Sequence, residues 1–109
     1  MRTVIFCFAV LAAISIPSTL RAQTVSVEAG HEIAQKFCAG CHAIGPAGES
    51  PHPNAPPFRQ IAANRDDRSL KEALGEGIPV GHPDMPQWRF GAEDVSSLIA
   101  YLKSLSGKG

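Results

Sequence analysis

The sequence predicts an all-α fold with long irregular loops, and three observations carry that reading. Apolar residues recur at three- and four-residue spacing in short segments, no alternating strand run is present, and stretches rich in proline and glycine separate the segments. No internal repeat or low-complexity tract interrupts the pattern.

The N-terminus reads as a secretory signal covering residues 1–22, followed by one domain over 23–109. Arg2 supplies the positive start, Val4 to Ile16 the apolar stretch, and Pro17 to Ala22 a cleavage region with the cut after Ala22. Leu20 stands where a small residue is usual. As a membrane anchor the run is too short, since a span needs about 20 apolar residues and Pro17 interrupts it. Cys7 lies within the run without a small-residue site before it, which makes it a signal-segment residue rather than a lipidated N-terminus.

From Val27 to Phe37, the positions Val27, Ile33, Ala34 and Phe37 share a helical face, with Glu28 and Glu32 toward the favourable N-terminal end. Gly45 to Pro57 gathers Pro46, Pro51, Pro53, Pro56 and Pro57 into a stiff loop. Phe58 to Asn64 makes a short helix, Asp66 or Asp67 caps another running to Leu74, and Gly75 and Gly77 end it. The breakers Pro79, Gly81, Pro83, Pro86 and Gly91 then place Met85 on an extended loop. The last helix, Ala92 to Ser104, sets Val95, Leu98, Ile99 and Leu102, with Leu105 after them, opposite Ser96, Ser97 and Lys103.

Charge excludes one class of partner. The chain holds 10 basic and 10 acidic residues, and loss of Arg2 and Arg21 with the signal leaves a small acidic excess. The remaining basic residues form no stripe or block, so nucleic acid is not an expected ligand. The large apolar side chains of the domain, among them Phe37, Phe58, Trp88, Phe90 and Tyr101, make a thin core that needs a supplement. Beyond the signal only Cys38 and Cys41 remain, two residues apart, which points to a cofactor rather than a disulfide framework.

Cys38-Ala39-Gly40-Cys41-His42 is the strongest chemical signal in the chain. Two thiols at this spacing can bond the two vinyl groups of a haem while the adjacent imidazole reaches the iron. Export agrees, because in the oxidising compartment a free cysteine pair would otherwise be oxidised. A zinc site drawing on Cys38, Cys41 and two of His42, His52 or His82 is the first bland alternative, and a dithiol redox site in a strand-helix setting the second. Met85, flanked by Pro86 and closely preceded by Pro83, is the candidate for the opposite face of the iron. Packing is its bland reading, and His82 and His52 are competing ligands. His31 reads as a solvated side chain without a role.

At these residues the chain resembles class I cytochromes c of the small bacterial type over nearly the whole of residues 23–109. The resemblance rests on Gly30, the pentapeptide at 38–42, Ala-Pro-Pro-Phe-Arg-Gln-Ile-Ala at 55–62, Met85-Pro86, and Leu98-Ile99-Ala100-Tyr101-Leu102-Lys103. It implies the cytochrome c fold, three to five short helices wrapped around one haem c held by Cys38 and Cys41, with His42 and Met85 on the iron. It further implies that the first and last helices cross at right angles, with Gly30 allowing close approach near Tyr101 or Leu98. The Pro56 carbonyl would accept a hydrogen bond from His42 Nδ1, and Phe58, Ile61, Leu70, Leu74, Trp88 and Leu102 would wall the haem. Trp88 is divided between packing and a hydrogen bond to a haem propionate. Two departures stand out: Ala34 stands where an aromatic residue is usual four positions before the first cysteine, with Phe37 next to Cys38 instead, and Gly81-His82-Pro83-Asp84 lacks the threonine and lysine of mitochondrial relatives.

The expected function is periplasmic transfer of single electrons by a non-enzymatic monomer. Its redox partners would be a membrane oxidoreductase, a terminal oxidase or a periplasmic dehydrogenase in small, transient contacts. A dedicated cytochrome subunit of an oxidoreductase complex is one alternative, and an open-site haem enzyme or gas sensor is another.

Overall fold

The computed structural model describes residues 9–18, 24–77 and 84–107. Arg2, Cys7, Leu20, the cut after Ala22, and Pro79, Gly81, His82 and Pro83 lie outside the described residues. Along 9–18 the chain has no regular structure, and Val10, Leu11, Ile14 and Ile16 are exposed. Among the described residues no helix is long and apolar enough to cross a membrane.

Four helices and no strand are found among the described residues: α1 (Val27–Phe37), α2 (Phe58–Asn64), α3 (Asp67–Glu76) and α4 (Ala92–Leu105). Local chemistry explains their ends. The Ser26 hydroxyl accepts from the Ala29 amide at 3.0 Å, and Asp66, rather than Asp67, accepts from Ser69 at 2.8 Å. Caps of this kind contribute about 1 kcal/mol each. Helix α3 runs past the expected end at Leu74 because Gly75 stays helical, and Gly77, at φ 69°, takes the left-handed cap that a side chain would disfavour.

Helices α1 and α4 form the central pair, with α2 and α3 each packed on α4. Ala34, Phe58, Leu70, Val95, Leu98, Ile99, Tyr101 and Leu102 make the buried apolar core. Gly30 lies at the α1–α4 contact, where a Cβ would sit 2.0 Å from the Ser97 carbonyl oxygen and 2.8 Å from Tyr101 Cβ. The close approach therefore involves Ser97 and Tyr101, with backbone against backbone. Lys103 on α4 pairs with Asp67 on α3.

Tyr101 ties this pair to the loop. Its hydroxyl donates to the Ile44 carbonyl at 2.6 Å, and its ring lies 5.0 Å from His31 and 6.5 Å from Phe58. His31 is therefore half-buried against a ring rather than free in solvent. Burial raises the Tyr101 phenol above its ordinary value. A raised folded value means that stability is fully present below about pH 10 and is lost as pH rises beyond it. Tyr101→Phe should lower stability at neutral pH by about 1 kcal/mol. It should also flatten the decline above pH 10, as read by urea unfolding across pH 8–11.5.

Candidate functional site

The site begins where α1 stops. Cys38 caps the helix, with its amide and that of Ala39 both bonded to the Ala34 carbonyl at 2.9 Å. The next turn closes through Cys41 and His42, whose amides reach the Cys38 carbonyl at 3.1 and 2.9 Å. This local winding brings both thiols and the imidazole to one place. Cys41 is exposed, Cys38 half-buried and His42 buried. Burial pushes the Cys38 thiol up to about 11, so it stays protonated at neutral pH.

The proline-rich loop then folds back over the turn. Ala43 N–H donates to Ser50 Oγ at 3.0 Å, His52 N–H to the Cys41 carbonyl at 3.1 Å, and Phe58 N–H to the Ala43 carbonyl at 2.8 Å. This places the Pro56 carbonyl 2.7 Å from His42 Nδ1. A carbonyl can only accept, so Nδ1 carries a proton, and in the neutral ring the lone pair is then on Nε2. No other side-chain hydrogen bond involves His42 among the described residues.

Two adjoining cavities form a crevice beside this turn. One of about 370 Å³ is bordered by Phe37, Cys38, Cys41, His42, Met85 and Trp88, with His52, Asn54, Ala55 and Asp84 on its polar side. The other, about 90 Å³, is walled by Pro56, Phe58, Ile61, Leu70, Leu74, Leu98 and Leu102. Cys38, His42 and Met85 border both. All eleven side chains expected at the site thus meet at one crevice. Asp84, Asn54, Arg65, Ala73 and Leu98 border it as well, although sequence reasoning did not place them there. Leu98 had a usable signal in the apolar period of α4, while Arg65 and Asp84 had none.

The donor set fits a covalently held haem. Two thiols stand at one edge of an apolar crevice, and an imidazole with a lone pair and a thioether both border it. Among the described residues, no three His, Cys, Asp or Glu side chains converge to hold a metal ion, so the zinc alternative gains no support. The strand-helix setting of a dithiol site is likewise missing among the described residues. His52 borders the crevice with both ring nitrogens engaged: Nδ1 accepts from the Asn54 amide at 3.1 Å, and Nε2 lies 3.6 Å from Asp84. Trp88 packs edge-on to Phe37 at 5.1 Å, and its indole N–H makes no hydrogen bond among the described residues.

Comparison with known proteins agrees with this geometry. A family model described as Cytochrome c matches residues 27–106. The chain is 30% identical over 83 residues to cytochrome c-552 of Bradyrhizobium diazoefficiens, covering 74% of this chain and 78% of that protein. It is also 32% identical over 98 residues to cytochrome c oxidase subunit 2 of Alkalihalophilus pseudofirmus, covering 76% of this chain but 26% of that subunit. No solved structure matches the chain.

Proposed function

We propose that this chain, which belongs to the cytochrome c family, is an exported, non-enzymatic carrier of single electrons whose haem iron is held between His42 and Met85. One observation supports this above the rest: His42, with its proton fixed at Nδ1 by Pro56, and Met85 border the same crevice as Cys38. Haem c, which the family implies, supplies a one-electron ferrous-ferric couple.

The chain's own residues set how that couple behaves. Pro56 orients the His42 ring and makes Nε2 a better donor. Phe58, Ile61, Leu70, Leu98 and Leu102 keep water from one side of the crevice and disfavour added positive charge, which raises the potential. Met85 as a soft ligand acts in the same direction. Were His42 and Met85 both to hold the iron, no position would be left for a substrate, and that would separate a carrier from an open-site enzyme or sensor.

Cys41 is exposed, so the covalent edge lies at the surface and a partner can dock there in a small, transient contact. A membrane oxidoreductase, terminal oxidase or periplasmic dehydrogenase would suit, with the protein in the periplasm once residues 1–22 are removed. The likeness to an oxidase subunit favours a terminal oxidase as acceptor, and equally favours a dedicated subunit as the second reading. Co-purification with an oxidase at fixed stoichiometry would select the subunit. The axial assignment is tested by far-red absorption of the ferric protein matured in a periplasm. A weak sulfur-to-iron charge-transfer band is expected, and a high-spin spectrum without it would overturn the carrier reading.

A further inference from the structure

The segment that carries Met85 has no regular structure between residue 84 and Gly91, yet it borders both cavities. Contacts to other parts of the fold must therefore hold it. Downstream of Met85, Trp88 and Phe90 both turn toward Phe37, the last residue of α1. Ring centroids are 5.1 Å apart for Phe37 and Trp88 and 5.5 Å for Phe37 and Phe90, both edge-to-face. Trp88 and Phe90 lie 6.1 Å from each other, closing a triangle of rings. Phe90 N–H donates to the Leu74 carbonyl at 2.9 Å, which fixes the same segment to α3. Phe37 itself is 36% exposed, more than a core residue would be, and its ring borders the crevice.

We infer that Phe37 is a positioning residue for Met85, joining the Met85 segment to the helix end that bears Cys38. The inference rests on Met85 as the second axial ligand. The physical argument is one of populations. A loop without its own hydrogen-bond ladder samples states in which the thioether has left the crevice, and each edge-to-face pair stabilises the docked state. Phe37 makes two such pairs, one of them with a ring three positions from Met85. Removing both should raise the undocked fraction by about tenfold.

Added imidazole reads this fraction directly, because it takes the position that Met85 leaves, and its apparent affinity scales with the population able to bind it. Ferric wild type, Phe37→Ala and Phe37→Leu would be titrated with imidazole after the far-red band has been recorded for each. Phe37→Ala should bind imidazole about tenfold more tightly, and Phe37→Leu, which keeps bulk without the ring edge, about threefold. In a Met85→Ala background, Phe37→Ala should leave imidazole affinity unchanged. Equal affinity in wild type and both single variants, with the band intact, would overturn the positioning role while leaving the axial assignment standing. A wild type without the band would overturn the axial assignment itself, and the inference with it. Should Phe37→Ala fail to accumulate, Phe37→Leu decides alone, since an unchanged affinity there has the same meaning.

Discussion

A chain with both Cys38 and Cys41 changed to alanine is expected to accumulate without covalent haem and with little of its folded helical content. The reason is the core. Its buried apolar residues number eight among those described, and Leu98 is the one large side chain of that group that is almost wholly enclosed. A domain of this size gains only a marginal surplus from its own burial, against typical net stabilities of about 5–15 kcal/mol. Without the group that belongs in the crevice, its larger cavity of about 370 Å³ remains beside the core. Phe58, Leu70 and Leu102 line the adjoining space of about 90 Å³, and a cavity of that size costs on the order of 2 kcal/mol by itself. His42 then loses the purpose of its polar arrangement, a buried imidazole bonded on one side only.

The measurement has two parts, a haemochrome assay on denatured protein and far-UV circular dichroism at 25 °C. Covalent haem should vanish, and the helical signal should fall by more than about half, since isolated helices as short as these are marginal in water. A double variant with a native-like spectrum and a cooperative melt would mean that the eight-residue core suffices alone. Changing Cys41 only should be milder. Cys41 is exposed and borders one cavity, whereas Cys38 is half-buried and borders both, so the retained thiol keeps the more enclosed attachment.

Much of this arrangement is legible in the sequence, for a definable reason. The pentapeptide at 38–42 and the helices are local objects, fixed by hydrogen bonds three or four residues apart and by the apolar period of 3.6. Where local signals compete, the reading slips: Gly75 and Gly77 both look like helix ends, but Gly75 stays helical and only Gly77 takes the left-handed cap. Long-range features were legible only through the family pattern, such as the bond from His42 to Pro56. Asp84, Arg65 and the ring triangle of Phe37, Trp88 and Phe90 were not legible at all. Their positions depend on where one segment lands on another, through contacts such as Phe90 to Leu74. His31 was misjudged for the same reason, because the ring it meets belongs to α4.

Gly30→Ala should be the most damaging single-residue change away from the crevice. Helix propensity argues the other way, because alanine is favoured over glycine by about 1 kcal/mol inside a helix. Contact distances decide the sign. The added Cβ would lie 2.0 Å from the Ser97 carbonyl oxygen, 2.6 Å from its carbon and 2.8 Å from Tyr101 Cβ. None of these atoms is the end of a flexible side chain, so α1 and α4 must move apart as bodies. That separation would loosen Ala34 and Leu98 in the core and strain the bond from the Ser26 amide to Ser97 Oγ, now 3.3 Å. A net loss of about 3 kcal/mol is expected, a large share of a small domain's stability. The control is Gly40→Ala, where a Cβ meets nothing within 4 Å and φ is not in the left-handed region. Both holoproteins would be unfolded in guanidinium and followed through the fluorescence of Trp88, the chain's single tryptophan. A Gly30→Ala midpoint equal to that of Gly40→Ala would mean that the helices can part without cost, and the tight crossing would then not be what holds α1, and Cys38 at its end, in place.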